Sequence, residues 1–456
     1  MSAGRTVSVQ TGLPIPLTGK AGPSMRCIRF MLEMIKEFRL FRRIIYHRVW
    51  INLGDSLFYV VIMWVLYDLT RDPLYTSMGG FMFSLSDVLN FFCGPIIDRS
   101  NRGRLLVVSS GIQFLIAAAL YLLSAKGCLS VWMLVCSIPF FNLMSRMTYS
   151  IHNVMVPGIV PKEKLVTANS ILAMTSTGID LMFNAITGVL LALLSLKHMF
   201  LINSSINLAA LLVAGMVGRG LPAGRHRSAN QIGNKTPPFR EFLREYQKDL
   251  KSGLVFIQNR AILSLMIPLI GLNLLYAMMV VNLPAFSSEA FGASIGYGLI
   301  LTLFAAGSIS GAAVSSQLMK RFPVGKLLPV SFLYGGASWV LMALVVERLP
   351  LMGAILIVMA SNALGMINIV FGTVFQQLPP RQMIGRVNTV NLSLMAIASL
   401  GGSLLGGVVV QKFNSVFPFL ICGLGYLAIA MTMRVNRLIC ALPKTEDMDE
   451  QILSVD

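Results

Sequence analysis

The chain alternates between long apolar runs and short polar gaps, and it contains twelve such runs. A helix needs about 20 predominantly apolar residues to cross a bilayer, and the runs are of that order of length. The strands of a transmembrane barrel would instead alternate apolar and polar positions over about 10 residues. The pattern predicts an all-α polytopic membrane protein with twelve transmembrane helices, over residues 49–69, 75–95, 105–125, 129–152, 166–192, 198–218, 261–284, 294–317, 327–346, 350–376, 388–411 and 414–434.

Composition and charge fit this prediction. Of 456 residues, 55% are hydrophobic and 12% charged, whereas soluble domains carry about a quarter charged residues. The net charge of +18 follows from the positive-inside rule rather than from binding to nucleic acid. If alternate gaps share a side, 31 Lys and Arg fall on the side of the termini and 5 on the other. We therefore expect a bacterial inner (plasma) membrane location with both termini cytoplasmic.

The longer polar stretches divide the chain into five parts. A cytoplasmic segment, 1–47, contains a basic amphipathic helix expected on the lipids of the inner leaflet. A six-helix bundle follows over 48–218, then a cytoplasmic linker over 219–260. A second six-helix bundle covers 261–435, and a tail covers 436–456.

Two short sequence matches indicate an internal repeat. PKEKLVTANSI at 161–171 resembles PRQMIGRVNTV at 380–390 with an offset of 219, and RLLVV at 104–108 resembles KLLPV at 326–330 with an offset of 222. Chance similarity between short polar loops is the alternative. A duplication would place a substrate site between two pseudo-symmetric halves, near the middle of the membrane.

The gap between the second and third runs reads GPIIDRSNRGRLL, residues 94–106. A glycine, an acid and a basic series at this place resemble the loop signature of the major facilitator superfamily. Together with VPKEKLVTANS after the fourth run, the stretch resembles the branch of macrolide efflux proteins and the enterobactin exporter. The resemblance implies two pseudo-symmetric six-helix bundles that work by alternating access. The second-half copy of the signature departs from the family, because Lys320 stands where the offset places Asp98.

The resemblance also implies a conformational gate at this loop. Asp98 is expected to face the start of the eleventh helix, near Arg386 and Asn388, where an acid favours the positive end of a helix. Gly94 would let the second helix end close to a neighbour. The loop also carries basic residues that belong to the gate and, at the least, anchor the topology against anionic lipid: Arg99, Arg102 and Arg104.

Four charged side chains lie inside the apolar runs, where charge is costly and usually faces a cavity or a partner. We expect one aspartate to exchange a proton during transport, with Asp87 the first candidate by depth, then Asp55, and Asp180 also inside a run. The resemblance implies a part in proton transfer for Arg146. The alternative is a fixed structural pair, for example Arg146 with Asp55.

The remaining expectations concern the ligand. A small amphipathic molecule and protons are the predicted partners, with the chain acting as a monomer. No phosphate-binding loop occurs in the sequence, and we expect no cofactor, metal or ATP drive. The candidate cavity-lining residues are Trp64, Tyr67, Phe141, Asn273 and Tyr276.

Proton-driven export of such a molecule, for instance a drug, siderophore or peptide-like metabolite, is the leading hypothesis. An importer or lipid translocator of the same fold, or a non-transporting membrane receptor, is the alternative. A membrane-embedded acyltransferase would need a reactive histidine at the middle of the membrane, and none of the four histidines is predicted there.

Overall fold

A computed structural model describes residues 33–90, 93, 96–97, 100–161, 164–220, 260–291, 293–378 and 384–444. Within these ranges the regular structure is helical and no strand occurs. Twelve long helices, each overlapping one predicted run, are α1 Arg39–Thr70, α2 Pro73–Asn90, α3 Arg102–Ala125, α4 Val131–Met155, α5 Leu165–Leu193, α6 Leu196–Gly220, α7 Arg260–Val280, α8 Ala293–Arg321, α9 Val324–Val345, α10 Pro350–Gln377, α11 Ile384–Lys412 and α12 Phe417–Val435. Short helices Leu283–Ala290 and Arg437–Cys440 accompany them. The all-α polytopic fold is confirmed.

In the described part of the chain, ten helices are long and apolar enough to cross a membrane. The other two long helices, α2 and α4, carry more polar side chains along their length. Both pack within the helical bundle, α2 against α1, α4 and α11, and α4 against α1, α2 and α3. Several of their polar residues, among them Thr76, Ser86, Ser145 and Thr148, are therefore buried against neighbouring helices.

The two halves repeat the same packing. The pairs α1–α5, α2–α4, α3–α6 and α3–α4 correspond to α7–α11, α8–α10, α9–α12 and α9–α10. The predicted offsets return as helix boundaries, because α5 and α11 start and end 219 positions apart and α3 and α9 start 222 positions apart. Two six-helix bundles with pseudo-twofold symmetry result.

The first helix begins earlier than predicted. It starts at Arg39 rather than 49 and has 32 residues, about 48 Å at 1.5 Å per residue. Phe41 and Ile44 near its start are fully buried, in a cluster that includes Leu106 of α3 and Ile151 of α4. These apolar contacts continue the helix beyond the apolar run, which brings residues 39–48 into the bundle. The segments 1–32, 221–259 and 445–456 lie outside the described residues.

The halves meet through α2–α11 and α5–α8. We call the end of the bundle where α1 begins and α12 ends the terminal face, and the other end the opposite face. Near the opposite face the α5 and α8 backbones touch, since a Cβ at Gly188 would overlap Gly298. The rings of Trp64 and Tyr297 also stack there, with centroids 5.7 Å apart. These contacts close the opposite face between the halves.

Candidate functional site

The four charged residues predicted inside the membrane converge in the N-terminal half. Asp55 of α1, Asp87 of α2, Arg146 of α4 and Asp180 of α5 interact with one another or with each other's neighbours. Helix packing brings them together, since α4 contacts α1, α2 and α3 while α1 contacts α5. Charges far apart in the sequence therefore form one polar cluster.

Asp55 is held by uncharged donors. Its Oδ1 accepts a hydrogen bond from Gln113 Nε2 of α3 at 3.2 Å. Its Oδ2 accepts from the hydroxyls of Ser145 and Tyr149 of α4, the latter at 2.6 Å. Among the described residues, no salt bridge reaches this carboxylate. We call these three donors the shell of Asp55. No direct ion pair within this shell holds the carboxyl in its charged form.

The Tyr149 hydroxyl gives the shell two arrangements. It lies 2.6 Å from Asp55 Oδ2 and 2.8 Å from Asn52 Oδ1. A phenol has one proton to donate and also accepts. When Asp55 is ionised, Tyr149 donates to it. When Asp55 is protonated, the carboxyl can donate to the phenol oxygen while Tyr149 donates to Asn52. Both protonation states thus retain a hydrogen bond at this position.

Arg146 forms an ion pair with Asp87 and not with Asp55, the example of a fixed partner considered from the sequence. Arg146 Nε lies 2.6 Å from Asp87 Oδ1, and Nη2 lies 3.5 Å from Asp87 Oδ2. The side chains are 44% and 38% exposed. Since a charge facing lipid is costly, partial exposure of such a pair indicates a water-filled cleft. The predicted charges thus separate into a partly exposed ion pair and a partly buried carboxyl held by uncharged donors.

Arg48 is a member of the cluster that the sequence pattern did not identify. It was counted among the basic residues outside the first run, but it is only 8% exposed inside the bundle. Its Nε donates to Ser176 Oγ of α5 at 2.8 Å, and its guanidinium lies 4.5 Å from the centre of the Tyr149 ring. Asp180 on α5 accepts from Ser56 at 2.9 Å.

Helical spacing was the signal for this part of the cluster. Arg48, Asn52 and Asp55 share one face of α1 at positions i, i+4 and i+7, and Ser145 and Tyr149 share a face of α4. A polar face on an otherwise apolar helix indicates polar neighbours within the bundle.

The predicted cavity residues fall into two groups. Trp64, Tyr67 and Phe141 are buried, and Phe141 stacks on Phe58 with centroids 3.8 Å apart. Asn273 and Tyr276, both on α7, are partly exposed. Only the α7 pair is therefore open in this arrangement of the helices, among the five candidates.

The predicted gate lies mainly outside the described residues. This holds for Gly94, Asp98 and Arg99, and for the side chains of Arg386 and Asn388. Arg102 and Arg104 lie in the first turn of α3, whose start is capped by the Asn101 side chain accepting from the Arg104 backbone N–H at 3.1 Å. The gate remains a prediction.

Comparison with known sequences places the chain among transporters. The model of the Major Facilitator Superfamily matches residues 50–403. An uncharacterized MFS-type transporter, YfiS of Bacillus subtilis (strain 168), is 23% identical over 404 residues, which cover 85% of this chain and 90% of that protein.

Solved structures share the fold at low sequence identity. A POT family transporter in complex with 5-aminolevulinic acid is 14% identical with a TM-score of 0.65, over 87% of this chain and 96% of that one. A bacterial homologue of the iron transporter ferroportin in an inward-facing state is 15% identical with a TM-score of 0.63, over 87% and 99%.

Proposed function

The chain belongs to the major facilitator superfamily, and we propose that it is a secondary active transporter that exports an amphipathic small molecule in exchange for protons. Membrane transport is the shared activity of the family and of the transporters with the same fold. The choice of proton exchange and export is our own, and it is argued from the cluster in the N-terminal half.

The shell of Asp55 is the observation that carries the proposal. Among the described residues, the carboxyl accepts hydrogen bonds from neutral donors only, and the Tyr149 hydroxyl can donate to either Asp55 or Asn52. A proton-coupling group must be stable both with and without its proton, because it loads on one side of the membrane and releases on the other. This arrangement favours Asp55 over Asp87 as the coupling acid, in the reverse of the order expected by depth.

Asp87 and Arg146 then serve a different purpose. Their ion pair is partly exposed, so a substrate in the cleft can compete for either partner. We place the predicted coupling between substrate and proton here, because α4 carries Arg146 next to Ser145, which donates to Asp55. Substrate that displaces Asp87 from Arg146 would shift this segment of α4 and with it the shell of Asp55.

Alternating access follows from the packing of the halves. Contacts through α2–α11 and α5–α8 close the opposite face, as in a transporter open toward its terminal face. The Lys and Arg distribution favours a cytoplasmic terminal face, and the state is then inward-open. Rocking the halves would uncover Trp64 and Tyr67 from the opposite side and bring the predicted Asp98 latch together with the start of α11.

The proposal is tested by accumulation in bacterial cells with and without the protein. The panel contains erythromycin, ethidium, a catecholate siderophore and a hydrophobic tripeptide, and the matched control is Asp55→Asn. We expect at least one compound to accumulate less with the wild-type protein and not with the control. Higher accumulation with the wild-type protein would show import. If no compound changes but the distribution of lipids between the two leaflets does, the protein is a lipid translocator.

A further inference from the structure

A second buried polar group lies in the N-terminal half, closer to the terminal face than Asp55. His47 Nδ1 of α1 and His152 Nε2 of α4 are 2.8 Å apart, and His47 Nε2 is 3.0 Å from Ser110 Oγ of α3. All three side chains are fully buried. His47 precedes Asp55 by eight residues on α1, about 12 Å along the helix axis.

Two buried polar atoms at or near this group have no hydrogen-bond partner among the described residues, unlike those of a fully hydrogen-bonded structural network. His152 Nδ1 is buried and forms no hydrogen bond with any described residue. Gln113 Oε1 is likewise buried and unbonded among the described residues, while Gln113 Nε2 donates to Asp55. Ser110 and Gln113 are three residues apart on α3 and so face the same side. Buried polar atoms normally have partners, and those without one need an explanation.

From this geometry we infer that His152, His47 and Ser110 form the proton path between Asp55 and the terminal face. The inference rests on the proposed proton exchange at Asp55. It assigns the two histidines a positioning and transfer role that the cluster around Asp55 does not itself provide. The step between Ser110 and Asp55 spans about one helical turn and requires one water molecule, which Gln113 Oε1 can accept from and orient.

The pair exists in two neutral hydrogen-bonded forms. In the first, His47 Nδ1–H donates to His152 Nε2, His152 Nδ1 carries a proton, and Ser110 donates to His47 Nε2. In the second, His152 Nε2–H donates to His47 Nδ1, His47 Nε2–H donates to Ser110, and His152 Nδ1 is bare. Each neutral imidazole holds one proton on one of its two nitrogens.

Passing one proton converts the first form into the second. His152 Nδ1–H gives its proton to a water molecule that enters from the terminal face and carries the proton away as hydronium. The shared proton moves from His47 Nδ1 to His152 Nε2, and His47 Nε2 takes the Ser110 proton. Ser110 is reprotonated from Asp55 through the water molecule. One proton leaves Asp55, one leaves the path, and no other group changes charge. The first form is restored when each ring gives its Nε2 proton to a water molecule and takes a proton at Nδ1 from another, which leaves the charge of each ring unchanged.

Neighbouring charges disfavour a stable imidazolium at His47 or His152. Arg48, the next residue on α1, interacts electrostatically with His152, and a fixed positive charge opposes a lasting imidazolium. The other titratable or charged groups in or next to the terminal-side halves of the surrounding helices are Tyr149 and Arg146 of α4, Asp87 of α2, Arg102 and Arg104 of α3, Asp180 of α5, Arg219 of α6, and Arg39, Arg42, Arg43, Tyr46 and Asp55 of α1. The histidine pair is therefore better suited to passing a proton on than to holding one.

The test measures how fast the protein responds to pH, without a substrate. A donor and an acceptor dye are attached at Lys197→Cys and Lys412→Cys, which lie at exposed positions of the two halves near the opposite face, in otherwise cysteine-free protein. Stopped-flow pH jumps report the distance between the halves. The variants are His47→Gln, His152→Gln and Ser110→Ala, and the control is His198→Gln, an exposed histidine on α6.

We expect the three path variants to relax at least tenfold more slowly than wild type while reaching the same final distances at each pH, and the control to match wild type. Path variants with wild-type rates would overturn the inference, as would shifted final distances, which indicate a structural role or a stored charge. Ser110→Ala alters no histidine and keeps the test valid if a histidine variant fails to fold. A wild-type protein without any pH response would instead contradict the proposed function.

Discussion

At the scale of single residues, Asp55 and Asp87 differ in the groups that contact their carboxylates. Asp87 faces a guanidinium at 2.6 Å, whereas Asp55 faces an amide and two hydroxyls. A direct ion pair favours the charged form of a carboxyl, and a shell of turning hydroxyls accepts either form. The proposal that Asp55 carries the proton depends on this difference.

Replacing Tyr149 by Phe removes the hydroxyl that serves both protonation states. A buried acceptor that loses its donor costs about 1–3 kcal/mol, so we expect roughly a tenfold loss in proton-driven transport. Exchange of substrate across the membrane without a proton gradient should change less. Transport assays on Tyr149→Phe and on Tyr121→Phe, a tyrosine of α3, provide the comparison. Equal losses in driven transport and in exchange would contradict the role given to Tyr149.

The Asp87–Arg146 pair makes a separate prediction. Asp87→Asn leaves Arg146 without its ion-pair partner, which is more destabilising than removing both charges. Because the two side chains are 44% and 38% exposed, water offsets part of this cost and the effect is modest. Thermal unfolding in detergent should therefore give a lower Tm for Asp87→Asn than for the double variant Asp87→Asn, Arg146→Gln. If the single variant is as stable as wild type, the pair contributes nothing to folding and the contact is incidental.

The sequence identified the charged residues of the candidate site but not which of them contact one another. Depth along an apolar run can be counted from residue numbers, and this found Asp55, Asp87, Asp180 and Arg146. Which of them touch depends on how each helix is rotated about its axis, and no single run reveals that. Arg48 was missed for a simpler reason, because charge was taken to end the first helix although apolar contacts extend it to Arg39.

At the scale of helices, the α5–α8 crossing brings the backbones of the two halves into direct contact. Glycine allows two backbones to touch, and a Cβ at Gly298 would overlap the backbone of Gly188. Gly178, also on α5, has no heavy atom within 4 Å of a built Cβ. We therefore expect closure of the opposite face to depend on the Gly188–Gly298 pair and not on Gly178.

Gly298→Leu should consequently separate the halves at the opposite face. Spin labels at Lys197→Cys and Lys412→Cys measure this distance, and we expect its distribution to move to longer values. Gly178→Leu is the matched control and should keep the wild-type distribution. An unchanged distance in Gly298→Leu would show that α5 and α8 do not set the closure.

Helix positions were the most predictable part of the fold. Length and apolarity identify a transmembrane helix directly, and the offsets of 219 and 222 reappear as helix starts. The seventh run was predicted to 284, but α7 ends at Val280 and a short helix, Leu283–Ala290, follows a break. Hydrophobicity does not distinguish one continuous helix from two.

At the scale of the whole molecule, the two halves share a fold but differ in the acidic residues of their long helices. The helices α7–α12 contain no Asp or Glu, whereas α1, α2 and α5 together supply the three acids of the cluster. Acids within the long helices thus occur in only one of the two halves, whereas Glu289 and Glu347 of the other half lie outside its long helices. We expect the N-terminal half to exchange protons and the C-terminal half, through α7, to contribute surface for the substrate.

The most direct measurement is transport in proteoliposomes with an imposed pH gradient, using a compound identified by the cellular panel. Wild-type protein should concentrate the compound against its gradient, and Asp68→Asn, an exposed acid paired with Arg71, should do the same. Asp55→Asn should lose pH-driven accumulation and still exchange labelled for unlabelled compound. Accumulation by Asp55→Asn at the wild-type level would contradict the account.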